Sequence, residues 1–169
     1  MALRTQDQSY TDDKGRRRWR ANDELAGELE RLGDYLIICG YEESHARRYH
    51  KLAYQIARYP DSVLQLHRER RLSEIQGVGA TVAGIIGEII ETGTSSKMEQ
   101  WATKFPKSVL ELRDIPGLGP KTIRTLYRKL HIRSLADLEK ALDEEKLQDI
   151  KGIGKKTVDT MRRYLSDRV

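Results

Sequence analysis

The amino-acid sequence predicts an all-α fold. Three observations carry that expectation. Apolar residues recur at helical spacings along most of the chain, no stretch alternates apolar and polar residues as a half-buried strand would, and 34% of the residues are charged, which suits helices with solvated faces. At 169 residues the chain suits one domain or two small ones.

Residues 1–20 show almost no apolar periodicity and end in Arg16-Arg17-Arg18-Trp19-Arg20. They read as a basic flexible tail, either a solvated arm or an electrostatic arm on phosphates with Trp19 able to stack. A helix follows from about residue 22, with Asn22 as its N-cap. Leu25, Leu29, Leu32 and Leu36 recur at spacings of 4, 3 and 4 on one face, and Gly40 stops it. A second helix, about Ser44 to Tyr59, turns Tyr49, Leu52, Ala53 and Ile56 inward before Pro60 ends it. A third, Ala80 to Thr92, carries Val82, Ile86, Ile89 and Ile90. Residues 96–113 supply one or two more. Short helices over about 120–130, 134–142, 144–149 and 155–166 fill the last third, with Ser134 and Asp137 forming a capping box. The expected organisation is the tail, a helical lobe over 21–103 and a second lobe over 104–169.

Net charge is +5, from 31 Lys and Arg against 26 Asp and Glu, but it is unevenly spread. Residues 1–20 carry +3, residues 21–103 carry −4 and residues 104–169 carry +6. Local basic character of this kind suits a polyanionic partner. The longest uncharged apolar stretches, 35–41 and 82–86, are far too short to cross a bilayer, and the N-terminus has no apolar signal-peptide core. A single cysteine, Cys39, rules out an internal disulfide framework and reads as a small core residue. The expectation is a soluble cytoplasmic protein. His45, His50, His67 and His131 lack Cys or carboxylate partners at metal-ligand spacing. Trp101 reads as a packing anchor, and Tyr49 as core or a phosphate-side hydroxyl.

Three segments share one pattern: Leu72-Ser-Glu-Ile-Gln-Gly-Val-Gly79, Leu112-Arg-Asp-Ile-Pro-Gly-Leu-Gly119 and Leu147-Gln-Asp-Ile-Lys-Gly-Ile-Gly154. Each is Leu-x-x-Ile-x-Gly-aliphatic-Gly followed by an amphipathic helix, over residues 72–91, 112–130 and 147–166. The first Gly permits a turn with positive φ, and the aliphatic residue plugs the turn into the core. The second Gly removes a Cβ where a phosphate would approach the unpaired N–H groups of the next helix. This is a helix-hairpin-helix element, which grips sugar-phosphate backbone and reads no bases. A dinucleotide-binding reading of Gly77-Val-Gly79 fails, because no strand precedes it and the third Gly falls at 84. The copies differ in chemistry. Lys121, Thr122, Arg124 and Arg128 follow Gly119; Lys155, Lys156, Thr157, Arg162 and Arg163 follow Gly154; after Gly79 there is Thr81 but no basic residue before Lys97.

On Arg48-Tyr-His-Lys-Leu-Ala-Tyr-Gln-Ile-Ala-Arg-Tyr-Pro60, Ile75-Gln-Gly-Val-Gly79, Ile115-Pro-Gly-Leu-Gly-Pro-Lys121 and Gly154-Lys-Lys156, the sequence resembles the N-terminal part of family X DNA polymerases, bacterial members closest. The resemblance covers about residues 22–166. It implies a polymerase beta N-terminal-like helical domain followed by tandem helix-hairpin-helix motifs, sitting on gapped, nicked or branched DNA in repair or replication. It also implies that turn carbonyls hold a sodium or potassium ion facing a phosphate: those of Ser73, Ile75 and Val78 in the first hairpin, and of Arg113, Ile115 and Leu118 in the second. The amide donors implied are Gly77, Gly79 and Thr81, then Gly117, Gly119, Lys121 and Thr122. By repeat symmetry Gly152, Gly154 and Lys156 would do the same.

Two departures from the family bear on chemistry. The family's lyase lysine position holds Ile85, which cannot form a Schiff base, and the preceding phosphate-site lysine is Thr81. Arg47, Arg48 and Lys51, with His45 and His50, cluster on the second helix, where a 5′-phosphate would dock, and Lys51 is the one candidate substitute amine. The palm domain with its metal-binding carboxylates is not among these residues, so polymerase activity is not expected from this chain alone. Three readings stay open: a sequence-independent DNA-backbone binder, a 5′-deoxyribose-phosphate lyase using a non-standard lysine, and a scaffold that recruits a separate polymerase or nuclease.

Overall fold

The computed structural model describes residue 3 and residues 7–168. Within them the chain forms two compact units. One holds the described residues up to Gly33 together with Glu43–Trp101, and the other holds Asp34–Glu42 and Ala102 onward. The long helix α1 (Arg20–Cys39) therefore supplies residues to both.

The first unit begins where a structureless tail was expected. β1 (Ser9–Thr11) and β2 (Arg17–Trp19) pair antiparallel, Ser9 opposite Trp19 and Thr11 opposite Arg17. The physical reason is turn chemistry. Asp12-Asp13-Lys14-Gly15 supplies an Asp at the first turn position and a Gly with φ of 73° at the last. The Asp12 carboxylate accepts from the amides of Lys14 (3.0 Å) and Arg16 (2.9 Å) and from the side chains of Arg16 and Arg18, both at 3.0 Å. These donors, the Arg16 amide first, hold its carboxyl well below the usual carboxylate range. Arg18 is buried and donates on to the Ala57 carbonyl (3.2 Å), while the Trp19 indole donates to the Pro60 carbonyl at 2.8 Å.

The hairpin leads straight into α1, so Asn22 is not its N-cap. It lies fully buried inside the helix, and its side chain holds the loop after α2 (Glu43–Ala57). Its amide donates to the carbonyls of Tyr59 (3.4 Å) and Asp61 (3.0 Å), and its oxygen accepts from the Val63 amide at 2.8 Å. That loop opens α3 (Val63–Arg68), a short helix capped by Ser62 that periodicity did not indicate. Both α3 and α4 (Ala80–Thr92) pack on a 3₁₀ turn at Leu72–Glu74, and α5 (Ser96–Ala102) follows. α1 and α2 approach closely at Gly33, where an added Cβ would stand 2.7 Å from the His50 ring.

In the second unit a 3₁₀ stretch, Lys107–Asp114, packs against α6 (Pro120–Leu130), and α7 (Leu135–Asp143) packs against α8 (Lys155–Ser166). Ser134 caps α7 by accepting from the Asp137 amide, while Asp137 reaches back to the Arg133 amide. The helix expected over 144–149 is a turn instead. Glu145 sits at φ 54° and the Lys146 amide closes on the Ala141 carbonyl, a left-handed C-terminal cap that ends α7. The end of α1 is tied in by the Tyr35 hydroxyl donating to the Phe105 carbonyl (2.6 Å) and by a half-buried Arg113–Asp34 ion pair (2.8 Å). Cys39 is buried, and desolvation pushes its thiol up to about 12, offset in part by a hydrogen bond with Tyr35. No described helix is long and apolar enough to cross a membrane.

Two outcomes follow from this packing. Asn22→Ala strands one buried amide and two carbonyls, and should lower the unfolding free energy by about 2–4 kcal/mol in a denaturant titration. Cys39 at pH 8 should react with iodoacetamide roughly a thousandfold more slowly in the folded protein than in urea, followed by mass spectrometry.

Candidate nucleic-acid interface

The three Leu-x-x-Ile-x-Gly-aliphatic-Gly segments fold alike. Their apolar positions are all buried: Leu72, Ile75 and Val78; Leu112, Ile115 and Leu118; Leu147, Ile150 and Ile153. In each, the Ile amide closes on the Leu carbonyl at 3.2 Å, and the aliphatic amide closes on the Ile carbonyl at 3.0, 3.1 and 3.0 Å. The first glycines, Gly77, Gly117 and Gly152, lie at φ of 87°, 79° and 92°, where a side chain would be strained.

The second glycines are different. Gly79, Gly119 and Gly154 cap α4, α6 and α8 in ordinary extended backbone, φ −87°, −79° and −92°. Any residue adopts that conformation, and an added Cβ at any of the three would meet nothing within 4 Å. Neither strain nor internal packing requires glycine there. None of the three caps has a side-chain hydrogen bond. Each turn thus presents the N–H groups of a helix start, with its partial positive charge, beside open space.

The side chains around the turns are unequal. Lys121, Lys155 and Lys156 are exposed, as is Lys151, which precedes Gly152 and which the pattern treated as a variable position. Thr122 is half-buried. Arg124 is turned elsewhere: its guanidinium lies 3.0 Å from the Cβ position of Gly40, just past the carboxyl end of α1, where helix charge favours a cation. Arg162 is also occupied, donating to the Leu142 carbonyl at 2.6 Å and pairing with Asp143 at 3.7 Å. Around the first turn the charges are mixed and hold no lysine, with Arg68, Arg70 and Arg71 beside Glu69 and Glu74. Glu69 and Glu74 both pair with Arg71, whose hydrogen bond holds the Glu74 carboxyl below its ordinary value. Thr81 is exposed, and Ile85 is buried in the core, so that position offers no amine.

Along α2 the expected cluster separates. Arg47, Arg48 and Lys51 stand on the exposed face, Arg47 paired with Glu43 at 2.7 Å. His50 instead lies half-buried over Gly33, His45 is exposed, and Tyr49 is core. For a monovalent cation, the Ile75 and Ile115 carbonyls each accept one turn amide, and an oxygen so used keeps a second lone pair of the hard type that alkali ions take. The Ser73, Val78, Arg113 and Leu118 carbonyls belong to the same two turns. Among the described residues no group of three or more His, Cys, Asp or Glu side chains is placed to hold a metal ion.

Comparison with known proteins agrees with this geometry. Residues 109–167, which include the second and third hairpins, match the family described as SAM-like Helix-hairpin-helix tandem. The chain is 27% identical over 119 residues to the DNA polymerase/3'-5' exonuclease PolX of Bacillus subtilis (strain 168), covering 70% of this chain and 20% of that protein. It is 30% identical over 99 residues to DNA polymerase lambda of Arabidopsis thaliana, covering 58% and 18% respectively. It spans about a fifth of the length of these curated relatives. Two of the three hairpins of one geometry thus lie inside a matched helix-hairpin-helix tandem, and the chain is similar over part of its length to these two DNA polymerases.

Proposed function

We propose that this chain binds DNA in repair or replication, gripping the sugar-phosphate backbone of gapped, nicked or branched DNA without reading its bases. The observation that carries the reading is the second glycine of each hairpin, kept at an uncapped helix start where the protein itself places no demand on it. A phosphate is the ligand that fits: it needs the space a Cβ would take, it accepts from clustered N–H groups, and its charge complements the helix end. The relatives' names, both DNA polymerases, support DNA as the phosphate's source.

The second and third hairpins are the principal grip, because Lys121, Lys151, Lys155 and Lys156 surround them with exposed cations. The first hairpin contributes the amides of Gly77, Gly79 and Thr81 without lysine, and Arg47, Arg48 and Lys51 offer an exposed basic face for a further phosphate. A sodium or potassium ion on the carbonyls of Ser73, Ile75 and Val78, or of Arg113, Ile115 and Leu118, would place a positive charge against the backbone beside these amides. Apolar and aromatic base contacts are not part of this grip, so affinity is set by charge and shape.

A substitution pair tests the reading. Gly119→Ala should leave thermal stability near that of the parent, since the entropy gained over glycine offsets alanine's weaker capping of α6, yet cost about tenfold in affinity for a gapped duplex, the worth of one charge-assisted hydrogen bond. Gly117→Ala should lose about 1 kcal/mol of stability through its positive φ. Unchanged DNA affinity in Gly119→Ala would remove the phosphate reading. With about five phosphate contacts, affinity should fall roughly 10²–10³-fold between 50 and 200 mM salt in a polarisation titration, and a flat salt response would contradict a backbone grip.

A further inference from the structure

The N-terminal hairpin takes no part in the grip described above. It nevertheless makes a groove of about 470 Å³ with the end of α2, lined by Arg16, Arg17, Arg18, Arg58 and Pro60. No carboxylate lines it. Within β2, successive side chains point to opposite faces. Arg18 is the inward member, buried and spent on Asp12 and on the Ala57 carbonyl. Arg17 and Trp19 share the other face, with the Arg17 guanidinium 4.5 Å from the indole centroid. The Trp19 ring is held in place by its hydrogen bond to the Pro60 carbonyl. The Arg58 guanidinium lies 3.7 Å from the ring centroid of Tyr54, which is 62% exposed, the one exposed large hydrophobic side chain among the described residues. Among those residues no carboxylate pairs with Arg17 or Arg58.

We propose that this groove is a binding site for single-stranded nucleic acid, with Arg17 and Arg58 on backbone phosphate and Trp19 and Tyr54 as stacking platforms for its bases. Two of the lining guanidiniums, Arg17 and Arg58, each lie on an aromatic ring beside the groove, and that pairing is what selects this ligand. A duplex keeps its bases stacked inside and has no use for the two rings. An isolated phosphoryl group would engage the arginines alone and leave Tyr54 exposed. A single strand uses both chemistries at once, because every unpaired nucleotide carries a π-face and a charge. Asp12 makes the site rigid from behind: by fixing Arg16 and Arg18 it sets the strand that aims Arg17 and Trp19 outward. The site is independent of the hairpin glycines, and either reading can fail without the other.

The test uses the full chain with labelled oligothymidylate and, separately, a blunt duplex. Arg17→Ala with Arg58→Ala should weaken single-strand binding at least tenfold and reduce its salt slope by about 1.4, two contacts at about 0.7 each, while duplex affinity changes less than twofold. Tyr54→Ala should weaken the single strand at least about fivefold, the loss of one stacked base. All three side chains are exposed, so these variants should fold, which circular dichroism checks. The protein has two tryptophans, so a Trp101→Phe background reports on Trp19 alone, and its emission should be quenched as oligothymidylate saturates. Quenching should persist in Gly119→Ala, which separates this site from the hairpin grip. Single-strand affinity unchanged by the arginine pair, an equal loss for duplex and single strand, or Trp19 emission unmoved at saturation would each overturn the proposal.

Discussion

The structure depends on one constraint, the insertion of three aliphatic side chains beneath each hairpin turn. Burying Leu112, Ile115 and Leu118 removes three large apolar groups from water, each worth about 1.5–3 kcal/mol, and that exceeds what a left-handed glycine costs. Once the plugs are seated, the turn has no freedom left. The aliphatic amide must close on the Ile carbonyl, the first glycine must take positive φ, and the next helix must begin at the second. The uncapped helix start is thus a by-product of core packing, held as rigidly as the core itself. A site built this way needs no ordering when a ligand arrives.

Because packing fixes the turn, its electrostatics are free to differ. The three copies share geometry to within a few tenths of an ångström in their turn hydrogen bonds, yet the first has Glu69 and Glu74 paired with Arg71 beside it while the third has Lys151, Lys155 and Lys156. Position 85 goes further: it holds Ile85, buried in the core, so α4 offers no amine there. The scaffold and the chemistry mounted on it are separable, which is why a shared motif alone does not carry over an activity.

The repeat was legible because its spacing encodes the plugs directly: Leu, Ile and an aliphatic at fixed offsets fold into the same turn wherever they recur. The all-α expectation held for the same reason, since α1, α2 and α4 each bury a periodic stripe. Other features were hidden by context. The β-hairpin has no apolar alternation, because its inward residue is Arg18, which is satisfied by Asp12 and by a carbonyl 39 positions away. Its one local signal was an Asp three residues before a Gly. Asn22 looks like a cap in sequence, and only the loop at 59–63 reveals it as a buried tie. Arg124 sits on the right helix for phosphate, but the neighbour that claims it, Gly40, lies far away in sequence.

α1 has a consequence for how this architecture can be inherited. Its last turns, with Asp34 on Arg113 and Tyr35 on the Phe105 carbonyl, belong to the unit that otherwise starts at Ala102. The tandem hairpins are therefore not a cassette. Moved alone, the stretch from 102 onward would leave Arg113 without its acid and the Phe105 carbonyl without the Tyr35 hydroxyl. In synthesis, those partners leave the ribosome some 70 residues before the segment they join, so the second unit waits on a helix the first has already claimed. Gene fusion can add to either end of such a protein, but recombination between its halves is penalised.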